Sequence, residues 1–489
     1  MHIGFISLDH LRDWTGITRL IDSLAAEMIA RGHRVTIIAC EGTASSKIPI
    51  SARTYPHELM TIDLDTARGR DAARESIASA GFDICATSIG SKQVIYLLSL
   101  FQGSGIPFIV AEPGDPYVLS FDRWQPYERH GMLFCADVFT VLLPQYLPRY
   151  PATLQSRATV IGNPAPPPAD IDFEARRNKD TQTIMAAGRF NEEDKRFSFL
   201  LRAFALLHPD FPSWRLKLVG DGPYWEYYDI MTEQLGIKKL VEFTGSTDDV
   251  ESHYESADIF CLPSFRAEGL PMVYLEASAY ALPLVGYRSC TSSEALIEPN
   301  MGALAECDSN GHNTPETLAV ALRSLMELTP EERKQRGMAA RDTLQEKYGG
   351  SIIFDQWEQL LTNTLEKTRA SGTTALERVM SMTENTAEIG QEWEGLEPDS
   401  PVWTEQVLAG AAREIVTRDD PREAPETSTA SEEVESVRLR CELAALQRDY
   451  GALEKKYSAL LAQFQTVAGK QPSGGKQSGK RQVARKRRK

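Results

Sequence analysis

Glu268 and Glu276 stand eight residues apart in the segment ADIFCLPSFRAEGLPMVYLEASAYALPLVG. A buried strand is predicted to end at Ser264. A short loop then carries Glu268-Gly269, and Pro271 opens a helix, the position where proline is favoured. Glu276 falls in the second turn. Were the whole interval helical, the carboxylates would lie roughly 12 Å apart along the axis. With Glu268 still in the loop they come closer, at two ends of an extended ligand. The stretch Gly269, Leu270, Pro271 and Met272 brings the first free amides of the helix between them, where they would face a phosphate. Carboxylates that accept pairs of hydroxyl hydrogen bonds suit a sugar at one end and a ribose at the other. Taken alone, the pair also reads as one capping acid and one surface glutamate.

Two cations point to the same ligand. After the strand TIMAAG (183–188) come Gly188-Arg189-Phe190, then Asp194-Lys195-Arg196 before a helix, FLLRAFALL. A flexible ammonium, a planar guanidinium and a helix start can converge on a diphosphate. An ordinary charged loop would look similar. In LVGDGP, Gly220 and Gly222 permit positive φ and close approach of a ligand. In the N-terminal half, Trp14-Thr15-Gly16-Ile17-Thr18-Arg19 leads into the helix LIDSLAAEMIARGH, and Gly16 would let a backbone N–H approach a phosphate from the opposite side.

These residues need a scaffold. At 489 residues the chain exceeds what one hydrophobic core supports, so two or more domains are expected. Strand-like runs alternate with amphipathic helix-length stretches through residues 1–345, the form of a parallel α/β sheet. The first set is IGFIS, RVTIIA, FDICATS, IPFIVA, VFTVLL and ATVIG. The proline-rich stretch NPAPPPAD (163–170) breaks the alternation and reads as a linker. A second set comes after it: TIMAAG, RLKLVG, VEFTG, IFCLPS and LPLVGY. The expectation is two Rossmann-like doubly wound domains, 1–163 and 164–345, facing a cleft. Ligands sit beyond the carboxyl ends of such strands.

A C-terminal helix within 346–369 is expected to pack back on this body, and 370–432, rich in Glu, Ser, Thr and Pro, reads as mostly disordered linker with short helices at most. Within 433–468, Leu439, Leu443, Leu446, Tyr450, Leu453, Tyr457, Leu460, Phe464 and Val467 alternate steps of four and three. That heptad seam predicts a coiled coil and a homo-oligomer through 439–467. The tail 469–489 reads as basic and disordered. From Lys470 to Lys489 there are nine Lys or Arg and no acid, so the rest carries the net −15 less those nine, about −24. Anionic lipid, nucleic acid and the acidic body are equally open partners for the tail. The overall acidity argues against nucleic acid as the main partner.

No run approaches the 18 apolar residues of a membrane span, and MHIGFIS reads as a first strand rather than a signal peptide. Seven scattered cysteines without CxxC spacing read as buried free thiols in a reducing cytosol, without a zinc site.

In order and spacing, the Gly16 loop with ARGHRV after its helix, IGNPAP, GRF with DK, LVGDGP, FTG, ADIFCLPS, EGLPMVYLEA and ALPLVG resemble a GT-B glycosyltransferase of family 4, over about residues 1–368. The resemblance implies a retaining transferase that uses a nucleotide-diphosphate sugar, with no cofactor and no required metal. Arg189 and Lys195 then resemble the residues that hold the donor diphosphate. Glu268 resembles the contact to the donor sugar hydroxyls, Glu276 the ribose ligand, and Gly16 the glycine beside the phosphate. The acceptor is expected to be a glycan, a lipid-linked sugar or a protein. The expected place is the cytoplasm, with the inner face of the membrane as a candidate contact for the tail.

The chain departs from the family at several points. Thr15-Gly16 stands where two glycines are usual, and Arg196 stands where glycine is frequent. Pro113 stands in the loop where many relatives carry a histidine near the reaction centre, which leaves Glu112 and Asp115 as acceptor-side candidates. An inactive scaffold built on the coiled coil and a sugar-nucleotide epimerase are the competing readings. Asp63-Leu64-Asp65 matches the metal-binding DxD of GT-A transferases but lacks a nucleotide-binding sequence around it.

Overall fold

The computed structural model describes residues 1–7, 16–40, 57–88, 94–116, 119, 126–264, 268–382, 405, 408–409 and 411–413. Trp14, Thr15, Cys441, the heptad segment and the basic tail lie outside the described residues.

Among the described residues there are two parallel sheets. The first holds β1 (His2–Ile6), β2 (Arg34–Cys40), β3 (Glu58–Ile62), β4 (Ile84–Ser88), β5 (Phe108–Ala111), β6 (Val138–Val141) and β7 (Ala158–Val160). Their spatial order is β3-β2-β1-β4-β5-β6-β7. The second holds β8 (Gln182–Ala187), β9 (Trp214–Val219), β10 (Val241–Gly245), β11 (Ile259–Cys261), β12 (Leu284–Tyr287) and β13 (Gly302–Ala305). Their order is β10-β9-β8-β11-β12-β13. The central strands are continuous apolar runs because helices cover both faces of each sheet. In β1 and β4 every residue is buried.

Both orders reverse direction at a single place, between β1 and β4 and between β8 and β11. Connections leave in opposite directions there, which opens a crevice at the carboxyl ends of the strands. The helix that bears Gly16 comes after β1. The Gly188 loop comes after β8, and the segment leading to Glu268 after β11. The expected site residues therefore issue from the switch points of both sheets.

The edge strands β3 and β13 were not among the predicted strands. The sequence of β3, ELMTI, is mostly exposed, and that of β13, GALA, is short and small. Neither shows the apolar run of an interior strand.

After the second domain, the helix Gly350–Ser371 returns to the first and adds Ile353, Trp357 and Leu361 to the core around Ile3, Phe5 and Leu24. Arg31 of the first domain holds Asp355 and Glu358 of this helix at 2.6 and 2.7 Å, and His33 meets Glu358 at 2.8 Å. A further helix, Ala375–Ser381, starts at a Thr374–Glu377 capping box, and its Ala375 N–H donates to Asp137 at 2.8 Å. Leu408, Ala409, Ala411 and Ala412 are also buried. The helix Ala375–Ser381 is a short helix of the kind allowed for in this segment, and it buries Ala375, Leu376 and Val379.

Arg196 explains one departure from the family pattern. It links the short helix Glu192–Lys195 to the helix Phe197–Leu207 with φ 47° and ψ 44°, in the left-handed region that favours glycine. Its guanidinium lies 5.4 Å from the Phe199 ring centroid, a contact that offsets part of the backbone strain. Arg196→Val is expected to lower stability by about 1–2 kcal/mol in urea unfolding, whereas Arg196→Gly should equal or exceed the parent protein.

Candidate active site

Lys195 is the last residue of the one-turn helix Glu192–Lys195, whose first turn is capped by the Asn191 side chain. Its ammonium pairs with Glu268 Oε1, and Ser264 Oγ donates to the same oxygen at 2.8 Å. Gly188 adopts φ +149°, and a Cβ there would lie 3.3 Å from Lys195 Cε. The β8 turn is thus shaped around the lysine. Arg189, by contrast, is exposed and makes no ion pair among the described residues. The structure brings Lys195 and Glu268 into contact across 73 residues of sequence and leaves Arg189 at the rim.

Gly220 adopts the positive φ expected of it, at +134°, and both Gly220 and Gly222 lie against the protein's own backbone. A Cβ on Gly220 would come within 2.0 Å of Gly188 O, and one on Gly222 within 2.6 Å of Phe190 O. The close approach is made by the protein's own backbone, and Phe190 N donates to Asp221 O at 2.9 Å. These glycines let the loop that carries Arg189 pack closely against them.

At the other end, Glu276 lies on the helix Met272–Ala279 and is buried. Pro271 is its N-cap, with φ −63° and ψ 120°, and Met272 is the first helical residue, one position later than expected. Tyr254 donates its hydroxyl to Glu276 Oε2 at 2.8 Å. Burial, and then the charge of Glu276, push the Tyr254 hydroxyl well above its ordinary pKa, so it remains a proton donor. Arg19 of the first domain ion-pairs with Oε1 at 2.7 Å. Gly16, one turn earlier on that helix, has open space where a Cβ would stand.

The two domains meet at the Glu268 loop. Tyr146, in the 3-10 helix Pro144–Arg149, donates to the carbonyls of Glu268 and Gly269 at 2.9 and 2.8 Å. One hydroxyl has a single proton, so these are alternatives or a shared bond. Asn163 donates to Leu270 O at 2.7 Å. A Cβ on Gly269 would come within 2.5 Å of Pro113 O and 2.6 Å of Leu142 Cδ1. Pro113 therefore lies against the Glu268-Gly269 loop, and its carbonyl fits only against glycine there. Gly269→Ala should force the domains apart here and lower turnover by at least tenfold. A crystal structure with the Pro113–Gly269 contact undisturbed, together with full turnover, would overturn this expectation.

The acceptor-side candidates require correction. Glu112 is 2% exposed and is held by Arg129 through both oxygens, with the Tyr150 hydroxyl on one of them. Asp115 is buried and pairs with Arg149, which donates its other nitrogen to Thr291 Oγ1 at 2.8 Å across the domain boundary. A buried carboxylate without a partner is costly, and these two are compensated by arginines. They position loops, and neither is disposed as a free base.

Arg19, Tyr146, Arg149 and Tyr254 were not singled out from the sequence as site residues. Arg19 was within reach, one turn after Gly16 on the same helix. Tyr146 and Arg149 are distant in sequence from the segments they serve, and Tyr254 lies 22 residues before Glu276. Asp63 accepts from Asp65 N at 2.8 Å and from the Thr66 hydroxyl at 2.6 Å. It therefore braces the start of the helix Ala67–Ser79. Among the described residues no group of three or more His, Cys, Asp or Glu is placed to hold a metal, and no helix is long and apolar enough to cross a membrane. A pocket between Phe173, Arg176, Asp258 and Arg333 lies apart from the cleft. There Arg176 caps carbonyls of Tyr254, Glu255 and Tyr280, a packing role.

Comparison with known proteins bears on this arrangement. The family described as glycosyl transferases group 1 matches residues 169–343. An uncharacterized glycosyltransferase of Haemophilus influenzae is 33% identical over 183 residues, covering 37% of this chain and 49% of that protein. The chain thus matches about half the length of that relative. A Campylobacter jejuni protein named as an α-1,4-N-acetyl-D-galactosaminyltransferase acting on an undecaprenol-linked GalNAc glycan is 24% identical over 294 residues, covering 59% of this chain and 77% of that protein. Anabaena HepE, solved in complex with UDP and glucose, superposes with a TM-score of 0.60 at 15% identity, over 74% of this chain and 100% of that one. At that identity the likeness concerns the fold. The two-sheet architecture is GT-B, and residues 169–343, within its second domain, are similar to the group 1 glycosyltransferases.

Proposed function

We propose that the cleft transfers a sugar from a nucleotide-diphosphate sugar to a glycan, lipid-linked or protein acceptor, with retention at the anomeric carbon and without a required metal ion. The observation that carries this reading is the pairing of Glu268 with Lys195 and of Glu276 with Arg19 at the strand switch points. Two carboxylates and two cations alternate there, as a sugar, a diphosphate and a ribose would require. Lys195 and Arg189, with the free amides at the start of the helix Met272–Ala279, stabilise charge that develops on the leaving phosphate. Glu268 accepts from sugar hydroxyls and Glu276 from the ribose. Closure of the first domain excludes water and delivers the acceptor. Anabaena HepE bound to UDP and glucose supports the donor class. The Campylobacter protein supports a lipid-linked acceptor. Oligomerisation through 439–467, and contact of tail 470–489 with the inner face of the membrane, belong to the same proposal.

A thermal-shift panel of nucleotide sugars tests the donor reading. A ligand present at a hundred times its Kd adds about 2.7 kcal/mol of stability, so the true donor should raise Tm clearly. Its turnover should be undiminished in EDTA, and NMR of the product should show the donor's anomeric configuration. Absence of both a Tm shift and hydrolysis across the panel would favour a scaffold without activity.

A further inference from the structure

Arg19 extends from the first turn of the helix Gly16–Ala30 in the first domain to Glu276 in the second. The guanidinium is 2.7 Å from Oε1, yet that buried oxygen receives no hydrogen bond. The contact is an ion pair without hydrogen-bond geometry, unlike the forked pairing a guanidinium prefers. Oε2 is already committed to Tyr254. Glu276 therefore presents one oxygen with unused lone pairs, beside a cation from the opposite domain that is 38% exposed and has room to turn.

The balance of charge in the cleft favours an exchange of partners. Lys195 is matched by Glu268. A diphosphate brings two negative charges into the cleft, and among the described residues Arg189 is the nearby cation without an ion pair. Once ribose hydroxyls donate to Oε1, the hold of Glu276 on Arg19 weakens. In a nucleotide the phosphates hang from the 5′ oxygen of the ribose, a few bonds from the hydroxyls that would donate to Oε1.

We propose that Arg19 is a donor-exchanged positioning residue: it holds Glu276 in the empty cleft and passes to the donor's diphosphate when ribose takes Oε1. The inference rests on the reading of Glu276 as the ribose ligand. It makes Arg19 the element by which the first domain detects a loaded donor, because the same side chain bridges the domains before and after the exchange.

The test compares uridine, UMP and UDP binding to the full-length protein, the Arg19→Ala variant and the Arg19→Lys variant, by competition against a fluorescent nucleotide. The expected loss in Arg19→Ala grows with the number of phosphates. It reaches tenfold or more for UDP, with uridine unchanged or tighter because Glu276 is unmasked. Arg19→Lys should fall between the two and keep the parent melting temperature. Equal losses for all three ligands would reduce Arg19 to a structural contact, and an unchanged UDP affinity would overturn the exchange outright. If the parent protein binds none of UDP, GDP and ADP, the nucleotide reading of the cleft fails, and this one with it.

Discussion

Lys195→Ala is expected to lower donor turnover by about a hundredfold or more, the usual effect of removing one preorganised group that stabilises transition-state charge. That factor is about 2.7 kcal/mol of barrier. The reason lies in the contact with Glu268. Lys195 faces Gly188 on one side and the carboxylate on the other, so on the proposed reading its loss removes a cation from the leaving phosphate and a partner from Glu268 at once. Ser264 remains on Glu268 Oε1 at 2.8 Å, which keeps the loop in place. Melting should therefore change little while kcat collapses. Lys195→Arg should recover only part of the activity, because a planar fork does not match the single-point geometry an ammonium fills. Turnover near the parent value in Lys195→Ala would remove Lys195 from the mechanism.

Arg129→Ala carries the largest expected cost in stability, about 3–5 kcal/mol, because it strands a buried carboxylate. Arg129 and Glu112 are each about 1% exposed at the side chain. The guanidinium also donates to Pro116 O at 3.2 Å and to the Tyr150 hydroxyl at 2.9 Å. Burial and the charge of Glu112 push the Tyr150 hydroxyl well above its ordinary pKa, so it stays a proton donor within the trio. A domain of this size shifts by roughly 2–4 °C per kcal/mol, so a fall in Tm of about 10 °C is expected. Replacing both charges, Arg129→Met with Glu112→Leu, should recover most of that loss, since well-packed apolar side chains substitute for buried ion pairs at little cost. A double variant no more stable than the single one would show that the pair acts through something other than charge compensation. The site is affected too. Glu112 directly precedes Pro113-Gly114, the loop that abuts Gly269, so the single variant should lose activity below its melting point as well.

Much of this chain is legible before folding is considered. Interior strands such as VTIIAC and IFC declare themselves because both faces are buried and every residue must be apolar. The proline run at 163–170 marks the boundary because proline cannot continue a strand or helix. Glu268, Glu276, Gly188 and Lys195 stand out because charge and glycine recur in order at two strand ends and on the helix after β11, although each loop taken alone reads as ordinary. The edge strands β3 and β13 are not visible, since a half-exposed strand carries no continuous apolar run. The glycines at 220 and 222 stand out in the sequence but point there to a ligand. Their neighbours are the backbone of Gly188 and Phe190, a contact that only packing creates.

The sequence by itself determined the doubly wound class, the interior strands and the charged and glycine residues proposed for a donor site. Each follows from local periodicity, proline and glycine chemistry, and side-chain type. Tertiary structure decided the partners. Arg19 and Glu276 lie 257 residues apart, and Tyr146 and Glu268 lie 122 apart. Nothing in their local patterns records the meeting. The acceptor-side candidates Glu112 and Asp115 prove to be anchored ion pairs for the same reason: whether a carboxylate is free depends on which cation folding buries beside it.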